Sequence, residues 1–91
     1  MSPESIQKQI ATIVEATGHG PDFVRRNAAI IDYTNWRNER SERIIMPLQL
    51  RLKSTEWHPD LQWLMEARCG EDGKRKDFAM AGIHSWKAIK P

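Results

Sequence analysis

A mainly β chain with one N-terminal helix, its five strands bent into a small antiparallel barrel, is the fold class that this sequence predicts. Three observations carry that reading. In Leu48-Gln49-Leu50-Arg51-Leu52-Lys53 the leucines alternate with polar residues, the period of a strand with one dry face and one wet one. Leu61, Trp63, Met65 and Ala67 share a face in the same way, opposite Gln62, Glu66 and Arg68. The run from about Glu42 to Lys53 extends ~40 Å at ~3.3 Å per residue, longer than strands usually stay straight. Pro47 near its middle lacks the N–H of a regular ladder and suits a bulge or corner, where one strand passes between two sheet layers. The alternation predicts that Leu48, Leu50, Leu52, Leu61, Trp63 and Met65 line one interior together with Ile31, Phe78 and Met80.

The elements follow in order. Ser2 and Pro3 read as N-cap and first helical position, and Ile6, Ile10, Ile13 and Val14 recur at the spacing of an amphipathic helix that Gly18 stops. Residues 1–18 are therefore a helix whose isoleucines must be buried against the barrel or a second subunit. His19-Gly20-Pro21 is a breaker, and Asp22 to Asn27 form one more short helical turn. The first strand lies in Ala28 to Trp36, with Ile31 and Tyr33 on one face. Asn35 to Ser41 is a charged hairpin connection, and Ser54 to Asp60 is a loop by composition. Leu61 to Cys69 is the third strand, Gly70-Glu71-Asp72-Gly73 carries the Asp-Gly turn signal, and Lys74 to Met80 returns as the fourth. Gly82 breaks that strand and Ile83 to Ile89 is the fifth. No repeat or linker divides the chain, so residues 1–91 are read as a single domain with the barrel at 28–89.

With 40% hydrophobic and 29% charged residues, 5 Gly and 5 Pro, the composition fits a folded globular protein and excludes low complexity. A chain of this size buries only ~60–65% of its unfolded surface, and homo-oligomerisation is an easy remedy for so small a core. Cys69 is the only cysteine, which excludes an intrachain disulfide and suits a reducing cytoplasm. His19, His58 and His84 have no zinc spacing, so neither a metal nor a cofactor is expected. No apolar run reaches the ~20 residues that cross a bilayer, and the first residues lack the basic start and apolar core of a signal peptide.

Glu56, His58 and Asp60 bring an imidazole between two carboxylates, but no placed nucleophile and no Gly-rich oxyanion or phosphate loop accompanies them. No catalytic residue is assigned, and the chain is not expected to be an enzyme. The formal charge of +2 is too small to indicate nucleic acid by itself. Its cations are clustered, however: Arg37, Arg40, Arg43, Arg51 and Lys53 form one group and Lys74-Arg75-Lys76 a second. Four tryptophans, Trp36, Trp57, Trp63 and Trp86, are more than a small core hides. Trp63 is expected in the core. Trp36 and Trp57 fall in connections beside Arg37, Arg40 and His58, where an aromatic face can stack on a base while guanidinium groups take phosphate; the alternative is loop tryptophans capping the barrel ends.

An Ile31-x-Tyr33 strand is followed by Arg43-x-x-x-Pro47-Leu48, then Trp63-Leu64-Met65-x-Ala67, then Lys76-x-Phe78 closed by Ile83. Over residues 28 to 84 this order resembles the WYL domain, a small bacterial and phage ligand-sensing module. The resemblance implies an Sm-like or SH3-like β-barrel and a pocket built from Arg43, from Trp63 and its strand, and from Lys76. Leu64 stands where the family has Tyr, Lys76 where it has Arg, and Gly82 where it has a basic residue. Together with the residues read above, the expected ligand-binding set is Tyr33, Arg43, Trp63, Lys76, Arg37, Arg40, Trp36, Trp57 and His58. The resemblance implies a regulatory role in transcription control or phage defence, with a nucleotide, single-stranded nucleic acid or similar anion as ligand. The alternative expectation is a protein-interaction module that grips a protein partner through exposed tryptophans. One helix leaves too little sequence for a helix-turn-helix, so sequence-specific DNA reading is not expected.

Overall fold

Helix α1 (Pro3–Thr17) begins where Ser2 accepts a hydrogen bond from the Ser5 N–H at 3.1 Å, with Pro3 in the first turn. It ends at Gly18, whose left-handed backbone (φ 77°) lets its N–H reach the Val14 carbonyl. After the Gly20-Pro21 break comes α2 (Pro21–Asn27), a complete short helix where the sequence suggested one further turn. The strands are β1 (Ala29–Thr34), β2 (Arg40–Lys53), β3 (Gln62–Cys69), β4 (Arg75–Ala79) and β5 (Ile83–Ala88), with a 3-10 turn, Met80–Gly82, between the last two. This computed structural model describes residues 1–57 and 59–89. Among them no helix is long and apolar enough to cross a membrane.

All five strands form one antiparallel sheet in the order β4-β3-β2-β1-β5. β2 is the shared strand. Its first half, Arg40 to Ile45, pairs with β1, and its second half pairs with β3, with the register shifting between Pro47 and Gln49. The proline therefore sits at the bend that its missing N–H suggested. Bending folds the β1 half toward the β4 edge, so that Ile31, Tyr33 and Ile45 pack against Met65, Ala67, Cys69 and Phe78. The rings of Tyr33 and Phe78 meet edge to face at 5.1 Å, and the Tyr33 hydroxyl accepts a hydrogen bond from the Ala79 N–H at 3.1 Å. On the other face of the sheet, Ile10 and Ile13 of α1 and Val24 of α2 cover Ile44 and Met46. The helix stripe is thus buried against its own sheet.

Two expectations are corrected by this arrangement. The sheet curls but remains open, with β4 and β5 as its edges, so it is not a closed barrel. Leu48, Leu50, Leu52, Leu61, Trp63 and Met80 are exposed rather than interior, with Leu50 and Trp63 each at 53%. The alternation itself is right: Leu50 pairs with Met65 and Leu52 with Trp63, on the face that carries Phe78. What fails is the cover, because β1, which folds over this face, pairs only as far as Ile45, and the helices lie on the opposite face. Met65, Ile31 and Phe78 are buried as expected.

Glu66 reverses the opposite expectation. Read as part of the wet face, it is 8% exposed and held by Gln49 (3.1 Å), Arg51 (2.7 Å) and Arg75 (3.1 Å) from the two neighbouring strands. Burial pushes its carboxyl pKa up, but hydrogen bonds from Arg75 and Gln49 and the Arg51 and Arg75 charges outweigh that and hold it below its usual value. A buried carboxylate with hydrogen-bonded guanidinium partners is the form in which charge is tolerated inside a small fold.

Candidate functional site

The bend in β2 leaves a cleft of roughly 610 Å³ on the concave side of the sheet. Its floor is the Tyr33 and Phe78 pair. Strand pairing fixes who surrounds it: Tyr33 lies opposite Ser41 and Ile31 opposite Arg43, so alternation places Tyr33, Ser41 and Arg43 on one face. Lys76 lies two residues before Phe78 on β4 and shares its face. Burial raises the Tyr33 phenol pKa, against the pull of the Ala79 hydrogen bond and the nearby Arg43 charge. Tyr33 is therefore a neutral strut whose hydroxyl is already committed to the backbone.

Two loops build the mouth. The β1–β2 turn is closed by Asn35, whose N–H donates to the Glu39 carbonyl (2.9 Å) while its side-chain oxygen accepts from the N–H groups of Arg37 (3.0 Å) and Glu39 (2.9 Å). Asn38 takes the left-handed conformation at φ 63° that this turn requires. Trp36 stands on this turn and stacks on Trp57 from the β2–β3 loop, with ring centroids 4.9 Å apart and planes 30° from parallel. The Arg37 guanidinium lies 4.9 Å from the centre of the Trp36 ring.

Charge in the cleft is unevenly spoken for. Arg75 is paired with Glu66, Lys76 with Asp72 at 3.2 Å, and Asp77 with Lys53 at 3.1 Å. Glu39 accepts from the Asn35 amide at 3.3 Å. Among the described residues Arg43 makes a single neutral contact, donating from Nε to the Ser41 hydroxyl at 3.2 Å. Among the described residues no carboxylate comes within ion-pair distance of Arg43 or of Arg37. A guanidinium held beside an apolar floor with most of its donors unused is ready for an anion.

Of the residues singled out from sequence, Tyr33, Trp36, Arg37, Arg43, Trp57 and Lys76 all line this cleft. Arg40 does not: it makes a two-point contact with Asp32, at 2.9 and 2.7 Å, and that hydrogen-bonded guanidinium holds the Asp32 carboxyl below its usual pKa. Trp63 lies on the exposed apolar strip outside the cleft lining. His58 falls outside the described residues. Asn35, Glu39, Thr55, Arg75, Asp77 and Phe78 complete the lining and were not in the expected ligand-binding set. Phe78 and Asn35 carried a usable signal, as a strand neighbour of Lys76 and as a turn former. Among the described residues no group of three or more His, Cys, Asp or Glu side chains is placed to hold a metal.

No protein-family profile matches the chain, and no curated protein matches it. A solved structure does match. The whole chain superposes on part of proteasome accessory factor B/C (PafBC) of Arthrobacter aurescens with a TM-score of 0.54 and 23% identity. It shares that fold. The match covers 12% of the PafBC chain, so the unit described here corresponds to a small part of a much longer protein.

Proposed function

We propose that this chain is a non-enzymatic, WYL-like ligand-binding module with a regulatory role, which takes up an anionic ligand, a nucleotide or a short stretch of single-stranded nucleic acid among them, at Arg43. The observation that carries the reading is the Arg43 guanidinium, set in the cleft with no carboxylate partner among the described residues while Arg75 and Lys76 beside it are neutralised. The long bent strand shared by two layers supports the Sm-like or SH3-like relationship, and the fold shared with part of PafBC supports the regulatory setting.

Binding that neutralises phosphate with arginine releases counterions and weakens as salt rises. Titration of the wild-type protein with AMP, followed by tryptophan fluorescence, is expected to give saturable binding whose affinity falls between low and physiological salt. Arg43→Ala removes charge-assisted hydrogen bonds and is expected to weaken that binding roughly ten- to a hundredfold. An unresponsive wild type at low salt, or Arg43→Ala binding as tightly as wild type, contradicts the proposal.

One observation favours a second reading, a module that grips a protein partner. Leu50, Leu52 and Trp63 form an exposed apolar strip on one face of the β2–β3 hairpin, and contiguous exposed apolar surface marks interaction sites. Under that reading, changes in the strip disrupt association while Arg43→Ala leaves it intact.

A further inference from the structure

We propose that Trp36 and Trp57 form an aromatic clasp at the mouth of the cleft that takes the planar heterocycle of a nucleotide, the ring against the indoles and the phosphate toward Arg43. The inference rests on the anion site proposed above and adds what chooses among anions.

The argument begins with where the two indoles are. They come from different loops, one on each side of the bend in β2, yet they meet each other at 4.9 Å and both line the cleft. Neither is used by the core: Trp36 is 50% and Trp57 54% exposed. Exposed indoles that serve only to cap a sheet end would lie over apolar side chains, whereas these keep half of their surface in water while bordering the cleft that holds Arg43. The indoles are stacked with planes 30° from parallel and centroids 4.9 Å apart, which leaves no room for a ring between them, so the heterocycle lies against an outer face of the pair. Its foundation is firm, because Trp36 stands on a turn fixed by the Asn35 hydrogen bonds. Arg37 over Trp36 adds a cation against the same aromatic surface.

Stacked, half-exposed indoles next to an uncommitted guanidinium match a molecule that is flat and aromatic at one end and anionic at the other. Every nucleobase has a π-face, so such a platform is indifferent to base identity, and base–indole stacking contributes roughly 5- to 150-fold in affinity per base. The cleft, at roughly 610 Å³, lies in the range of small-molecule sites of ~300–1,000 Å³. The same chemistry is offered by a free nucleotide and by one nucleotide of a single strand.

The test compares AMP, ribose 5-phosphate and a four-nucleotide single strand by calorimetric titration of the full chain. Wild type is expected to bind AMP at least about fivefold more tightly than ribose 5-phosphate. Trp36→Ala and Trp57→Ala are each expected to remove that preference by weakening AMP far more than ribose 5-phosphate, while Trp36→Phe retains part of it. The exciton signal of the stacked indoles in far-ultraviolet circular dichroism is expected to disappear in either alanine variant and to change when AMP binds. Equal affinity for AMP and ribose 5-phosphate in wild type, or a preference that survives both alanine substitutions, overturns the clasp and leaves the Arg43 site standing. Absence of binding by all three probes overturns the Arg43 site and the clasp with it. A single strand binding more than about tenfold tighter than AMP assigns the clasp to nucleic acid, and equal affinity assigns it to a free nucleotide.

Discussion

Ile44→Ala is expected to destabilise the protein by ~2–5 kcal/mol, against less than ~1 kcal/mol for Leu50→Ala. The two residues lie six positions apart on β2 and differ by little in size, so the contrast isolates burial. Ile44 is fully buried beneath Ile10, Ile13 and Val24, and removing its outer carbons leaves a cavity between sheet and helices. Leu50 already meets water over half its surface and loses mainly its pairing with Met65. In a domain of this size each 1 kcal/mol shifts the melting temperature by ~4–8 °C, so Ile44→Ala should melt at least ~8 °C below wild type. If Ile44→Ala does not fold, Ile44→Val should, at a cost of ~0.5–1.5 kcal/mol. Equal losses at the two positions would show that the Leu50 face is covered after all.

Gly82→Ala is expected to cost ~1–3 kcal/mol through overpacking, although the position is neither a helix interior nor a left-handed turn. A methyl group there lands against the backbone oxygen of Thr34 and 3.0 Å from Cε1 of Tyr33. The oxygen belongs to β1 and cannot move without the strand, and the Tyr33 ring is held from its far end by the Ala79 N–H. The 3-10 turn between β4 and β5 is thus seated on the tyrosine that floors the cleft. Hydrogen exchange should report the damage as faster exchange of the β5 amides that pair with β1. Wild-type stability and exchange in Gly82→Ala would mean that this corner does not rest on Tyr33.

The elements were legible in the sequence because their signals are local: alternation, turn residues and breakers act within a few positions. Pro47 was informative for the same reason, since a missing N–H has one meaning within a sheet. Leu50 and Trp63 were misplaced because alternation says which side chains share a face, while cover of that face depends on where β1 ends. Glu66 was misplaced because its charge suggested water, and the residues that make its burial tolerable, Gln49, Arg51 and Arg75, come from the strands on either side. At the site, Arg43, Lys76 and the two loop tryptophans stood out as cations and aromatics in the right stretches. Arg75, read only as part of a cation cluster, and Asp77 were not assigned to the site, because alternation sends them to the face opposite Lys76 and Phe78, and they reach the cleft from a strand at the sheet edge. Arg40 misled because its partner, Asp32, lies across the hairpin and is invisible to a reading of neighbours.

The account stands on the cleft around Arg43 being where ligand binds, and amide chemical-shift mapping during titration of the labelled protein with AMP tests this most directly. Shifts are expected to concentrate at residues 33–43, 55–57 and 75–78, to be absent from Leu50, Leu52 and Trp63, and to need roughly ten- to a hundredfold more AMP in Arg43→Ala. Shifts centred on the Leu50, Leu52 and Trp63 strip, or none at saturating AMP in low salt, would contradict it.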